Sequence, residues 1–212
     1  PNVDDVKPVV TAPTDVATGA TGALAKVVLG EAAASDALDG DLMPVADNPG
    51  PYAPGSYTIT WSATDAAGNV GTATQSVVVS PQVSITPKGR AAEGAEFMVK
   101  VTLNGPAPAY PVEIPVTLGG TAELDSDYTV SAASIIIESG RMGIMTIMVL
   151  ADEVEEGTES IDVTLGAPAE NAVLGSASTS SISIIETQAP PALKLSVSQG
   201  DQNGRKVAAE GG

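Results

Sequence analysis

Gly55-Ser56-Tyr57-Thr58-Ile59-Thr60-Trp61-Ser62-Ala63-Thr64-Asp65-Ala66-Ala67-Gly68-Asn69-Val70 decides the fold class. Tyr57, Ile59, Trp61 and Ala63 alternate with Thr58, Thr60, Ser62 and Thr64. Period two is the signature of a strand with one face buried. Asp65 to Asn69 is turn chemistry, and Val70–Ser80 returns as the partner strand. Trp61, the only tryptophan, falls on the apolar face and reads as core. Weaker β-like runs precede this pair at Lys26–Gly30 and Leu42–Ala46.

Downstream, the same alternation recurs at Phe97/Val99/Val101/Leu103, Val112/Ile114/Val116/Leu118, Ile161/Val163/Leu165 and Ile182/Ile184. Seven strands are expected there: Gln82–Thr86, Ala95–Leu103, Val112–Leu118, Tyr128–Ile137, Gly143–Leu150, Glu159–Leu165 and Ser178–Glu186. Met142, Met145 and Met148 recur every three residues, but β-branched neighbours and Gly140/Gly143 favour a strand. The reading is all-β: two tandem Ig-like Greek-key sandwiches plus the first strand of a third domain. The boundaries are 1–80, 81–188 and 189–212. The third block rests on a repeat. Leu195-Ser196-Val197-Ser198 and Ala208-Ala209-Glu210-Gly211 echo Val83-Ser84-Ile85-Thr86 and Ala91-Ala92-Glu93-Gly94. The chain therefore reads as a piece of a longer protein.

Composition narrows the chemistry. Among 212 residues there is no Cys and no His, which removes disulfides, thiol nucleophiles, His-based triads and most zinc sites. The formal charge of −17 opposes nucleic acid and anionic membranes as partners. No membrane-inserting run occurs in the sequence. A monomer whose partners are neighbouring repeats of the same chain is expected.

The acids are unevenly placed. Strand parity sends the loops 87–94, 119–127 and 151–158 to one end of the second sandwich. They carry Glu93, Glu123, Asp125, Asp127, Asp152, Glu153, Glu155 and Glu156, against Lys88 and Arg90. The opposite loops carry only Glu138 and Glu170. Such crowding calls for screening or for a hard cation that takes oxygen ligands. Spacing alone leaves a solvated acidic rim and a metal site both open.

Ala92-Glu93-Gly94, Gly120-Thr121-Ala122 through Asp127-Tyr128, Ile147–Leu150 leading to Asp152, and Glu156-Gly157-Thr158-Glu159 before Ile161–Leu165 resemble the Calx-beta module. That family is a calcium-binding β-sandwich found in large bacterial surface proteins. The resemblance implies Ca²⁺ held by Glu93, Asp125, Asp127, Asp152 and Glu156, with Glu123, Glu153 and Glu155 nearby. A paired aspartate of the family reads Ala151-Asp152 here, so one carboxylate is missing and fewer ions are expected.

The first block resembles hyalin-repeat or related bacterial Ig-like modules through Pro54–Trp61, Ala63–Asn69 and Val77–Val79. Asp36, Asp39 and Asp41 also fit that family. They are read as polar-loop residues ahead of a cation site.

Together these readings imply a non-enzymatic extender segment of a secreted or cell-surface bacterial adhesin, stiffened by calcium. The alternative is an adhesive module for a glycan or a partner protein. Tyr57, Trp61, Phe97, Tyr110 and Tyr128 fall in or beside expected strands or motif positions, which leaves Tyr52 as the aromatic free to meet a ligand. A glycosidase-like carboxylate pair such as Asp127 and Glu156 lacks sugar-stacking aromatics around it.

Overall fold

The computed structural model describes residues 4–86, 88–151 and 157–185. The expected first strand of a third domain, within 189–212, lies outside them.

In the first half, the strands are β1 (Val9–Thr11), β2 (Val16–Gly19), β3 (Ala33–Asp36), β4 (Gly40–Leu42), β5 (Val45–Ala46), β6 (Gly55–Thr64) and β7 (Val70–Ser80). They form a three-stranded sheet β1-β3-β4 and a four-stranded sheet β2-β7-β6-β5. The long β6–β7 hairpin pairs from Gly55↔Val79 to Thr64↔Val70. β2 joins β7 in parallel. Ile59, Trp61, Val77 and Val79 point into a shared core with Ala20, Ala25, Val27 and Tyr52, as the period-two pattern requires.

The hairpin turn is fastened by its own side chains. Asp65 accepts from Asn69 N and from Asn69 Nδ2, both at 2.8 Å. Desolvation pushes the Asp65 carboxyl up. Hydrogen bonds from the Asn69 side chain and from the backbone of Asn69, Gly68 and Ala67 outweigh it and hold the group below its ordinary value.

The second half contains β8 (Gln82–Ile85), β9 (Gly89–Ala92), β10 (Glu96–Leu103), β11 (Val112–Gly120), β12 (Tyr128–Val130), β13 (Ser134–Ile137), β14 (Met142–Val149), β15 (Glu159–Leu165), β16 (Val173–Leu174) and β17 (Thr179–Ile185). Two five-stranded sheets, β12-β14-β10-β8-β16 and β13-β11-β15-β17-β9, face each other. Between them lies an almost wholly aliphatic core that includes Val101, Ile114, Ile137, Ile147, Ile161 and Ile182, all 0 % exposed. The molecule is all-β, built from Ig-like sandwiches, with no helix among the described residues.

Several strands differ from expectation. Lys26–Gly30 is not a strand; Ala25 makes an isolated bridge to Tyr52 instead. The single expected strand Tyr128–Ile137 is two, β12 and β13, in opposite sheets. The chain changes sheet at residues 131–133, where Ser131-Ala132-Ala133 carries neither Gly nor Pro to mark the break. The expected loop 87–94 contains β9, which continues the direction of β8 but joins the other sheet, parallel to β17. Met145 is buried within β14 while Met142 is exposed, so the three-residue methionine spacing marks no helical stripe.

Tyr52 also departs from its reading as a free aromatic. It is 1 % exposed, its ring stands 4.9 Å from that of Tyr57, and its hydroxyl donates to Asn48 O at 2.5 Å. The bridge to Ala25 draws it under the sheet, and the adhesive-platform alternative loses the aromatic it depended on.

The link between the two halves is short, because β7 ends at Ser80 and β8 begins at Gln82. Asn104 braces it. Its Oδ1 accepts from Gln82 N at 2.8 Å, and its Nδ2 donates to Gly22 O at 2.9 Å.

Candidate metal centre

β9, β11, β14 and β17 end, and β10, β12 and β15 begin, at the same end of the second sandwich. This follows from the antiparallel registers Glu96↔Met148, Tyr128↔Val149 and Gly120↔Ile161, and from the parallel pairing of Ala92 with Ile185. Backbone hydrogen bonds sew the connecting segments together. Gly94 N donates to Val149 O at 3.1 Å, and Leu150 N donates to Asp127 O at 2.7 Å. Thr121 N and Ala122 N both donate to Ser160 O, at 3.0 and 3.1 Å. Glu93 N reaches across to Ile185 O at 3.3 Å. The segments bearing Glu93 and Glu123–Asp127 therefore share one end with residues 149–151.

The segment after β11 folds on itself. Glu123 O accepts from Ser126 N at 3.2 Å and from Asp127 N at 2.9 Å. Asp127 Oδ2 returns the contact by accepting from Glu123 N at 2.5 Å. Asp125 sits in the left-handed region at φ 69°, which aspartate tolerates better than most residues. Its N–H donates to Tyr128 O at 2.8 Å. Tyr128 is buried directly behind this turn. Desolvation, with a smaller contribution from the Asp127 charge, pushes its phenol up.

The candidate ligands differ in exposure. Glu123 and Asp125 are exposed, whereas Glu93 and Asp127 are half-buried. One Asp127 oxygen is committed to the turn, so its other oxygen is the freer donor. All four offer carboxylate oxygens, the donor type a hard divalent cation takes. Among the described residues they do not bring three ligand atoms within 4.8 Å of one another. Asp152, Glu153, Glu155 and Glu156 lie outside the described residues.

No family model matches the chain, and no curated protein sequence matches it significantly. Solved structures with a similar fold include the Calx CBD1 domain in its apo form, at 18 % identity and a TM-score of 0.45, covering 51 % of this chain and 99 % of that one. CBD12 from CALX1.2 matches at 23 % identity and 0.44, covering 50 % and 45 %. The calcium binding domain CBD12 of CALX1.1 matches at 23 % and 0.44, covering 50 % and 44 %. At this level the likeness says nothing of function.

Sequence reasoning missed one acidic group. Asp4, Asp36 and Asp65 bring carboxylate oxygens within 4.8 Å of one another in the first half of the chain. Asp39 and Asp41, read together with Asp36, are not part of this group. Asp39 Oδ2 instead accepts from Ala66 N at 2.8 Å. A signal was present in Asp36 and in the Asp65 turn, but nothing in the spacing connected them with Asp4.

Proposed function

We propose that this chain is a calcium-binding extender segment of a large secreted or cell-surface bacterial adhesin. Its divisions are a hyalin-repeat-like sandwich over 1–80, a Calx-beta-like sandwich over 81–188 and the start of a further repeat from 189. The observation that carries this reading is the meeting of the Glu93 turn, the Glu123–Asp127 turn and residues 149–151 at one end of a sandwich. Few positive side chains stand near them in sequence. Glu93, Asp125 and Asp127, together with Asp152 and Glu156, supply the ligands, with Glu123, Glu153 and Glu155 around them.

The ion's work is mechanical rather than catalytic. It ties turns that belong to different strands, so bending and proteolysis at that end decrease. Because it binds the folded chain alone, it adds stability by mass action, about 2.7 kcal/mol at a hundredfold excess over Kd. β17 also reaches that end, through the pairing of Ile185 with Ala92. The partners are neighbouring repeats of the same chain, and the setting is extracellular, where calcium is plentiful.

The test is a Ca²⁺ titration of the chelated protein, followed by melting and by X-ray scattering. A higher melting temperature, reduced by Glu93→Gln with Asp127→Asn, is expected. Unchanged melting and unchanged shape would sink the proposal.

A further inference from the structure

Asp4 precedes β1, Asp36 closes β3 and Asp65 opens the β6–β7 turn. The fold alone brings them together, with one carboxylate oxygen of each within 4.8 Å of the others. Asp36 is 9 % exposed and Asp65 6 %. The protein does not neutralise them. The carboxylates of Asp4 and Asp65 accept from N–H groups of Val6 and Asn69, and no Lys or Arg pairs with any of the three among the described residues.

Asp36 carries the decisive observation. Its Oδ1 accepts from Leu38 N at 2.8 Å and from Asp39 N at 3.1 Å. Its Oδ2 is buried and has no hydrogen-bond partner. A buried, unpaired carboxylate oxygen is costly, and buried charges are normally paired or bound to metal. Here the unpaired oxygen belongs to the group that two other carboxylates approach.

The surroundings are built to hold that geometry. Asn69 Nδ2 donates to Asp65 Oδ2 at 2.8 Å and to Asp4 O at 3.1 Å, fixing residue 4 beside the turn. The Asp39–Ala66 hydrogen bond holds the β3–β4 turn against the β6–β7 turn. A carboxylate oxygen that accepts one N–H keeps a lone pair for a metal.

We propose that Asp4, Asp36 and Asp65 form a second Ca²⁺ site, independent of the acidic end of the other sandwich. Three carboxylates and no nitrogen or sulfur select a hard cation. Oxygens within 4.8 Å of one another fit inside a calcium coordination sphere, whose span is about twice 2.4 Å, and three protein carboxylates suit calcium better than magnesium, which keeps several of its waters. The ion would clip the segment before β1 onto both turns.

The experiment uses the whole chain, freed of metal by a chelator and titrated with CaCl₂ alone. Ion stoichiometry is read by calorimetry, and melting of this half by the fluorescence of Trp61, the only tryptophan. Ca²⁺ is expected to raise the Trp61-reported melting temperature. Asp36→Asn, which keeps an oxygen for Leu38 N and Asp39 N, is expected to lose one ion and that shift. Glu93→Gln with Asp127→Asn, whatever ion it costs the acidic end, is expected to keep the Trp61-reported shift, so failure of the acidic end and failure of this site are separable. If Asp36→Asn does not fold, Asp4→Asn gives the same reading. Full stoichiometry and an unchanged shift in the folded variant overturn the site. An equal shift with MgCl₂ at the same concentration overturns the assignment to calcium.

Discussion

Gln75 Oε1 accepts a hydrogen bond from Trp61 Nε1 at 3.1 Å, diagonally across the β6–β7 pair. The same amide donates to Thr14 O at 2.6 Å and to Leu29 O at 2.8 Å. One fully buried side chain thus satisfies the indole and ties two connecting segments to the hairpin. Gln75→Leu keeps the approximate volume but leaves the buried indole N–H and two part-buried carbonyls without this partner. A loss of about 3 kcal/mol is expected, measured by urea unfolding with Trp61 fluorescence. A loss below about 0.5 kcal/mol would mean that these bonds carry little.

Tyr52 sets an alkaline limit. Desolvation first, then the charges of Asp47 and Tyr57, push its phenol up. The folded chain therefore holds this proton after the unfolded chain has lost it. Stability from this source is complete below about pH 10 and falls as pH rises from there through the folded value. Tyr52→Phe is expected to cost about 1 kcal/mol at neutral pH through loss of the bond to Asn48 O, yet to lose less stability above about pH 10. Urea midpoints measured on either side of that pH decide; parallel losses in the two proteins would contradict the assignment.

Gly120 tests the construction of the acidic end. Its φ is +111°, and an added Cβ would stand 2.1 Å from Ser160 O. That carbonyl is held by Thr121 N and Ala122 N, so it cannot retreat cheaply. Gly120→Ala is expected to destabilise by about 2 kcal/mol or more. Wild-type stability in this variant would show that the turn relaxes.

Asn104→Ala tests the brace between the halves. Its side chain is exposed, so a loss under about 1 kcal/mol is expected. The larger effect belongs to shape, because the contacts to Gln82 and Gly22 vanish together. X-ray scattering should show a broader distribution of end-to-end distances. An unchanged distribution would place the stiffness in the link itself.

Strands were legible where one face is buried along their length. β15 occupies the expected Glu159–Leu165, and β6 alternates as its threonines and aliphatics dictate. β1 and β2 have no fully buried residue, so hydrophobic periodicity had nothing to report. β9 was hidden for a related reason: Ala91 is its one buried residue, and its pairing is supplied by the backbone of β17. Charge density along the chain marked the Glu123–Asp127 turn. It could not mark Asp4, Asp36 and Asp65, whose proximity depends on how β1, β3 and the hairpin turn are stacked.

Two parallel pairings have a consequence under tension. β2 lies parallel to β7 through Val16↔Val77 to Gly19↔Ser80, and β9 lies parallel to β17 through Gly89↔Ile182 to Ala92↔Ile185. In each case a strand near the start of a sandwich is zipped beside its last strand. A pull that reaches both strands along the chain drags them past one another. The rungs then share the load in shear and must rupture together, whereas a hairpin pulled open from its ends yields one rung at a time. Each sandwich therefore carries its own force clamp of four residue pairs, made of backbone alone.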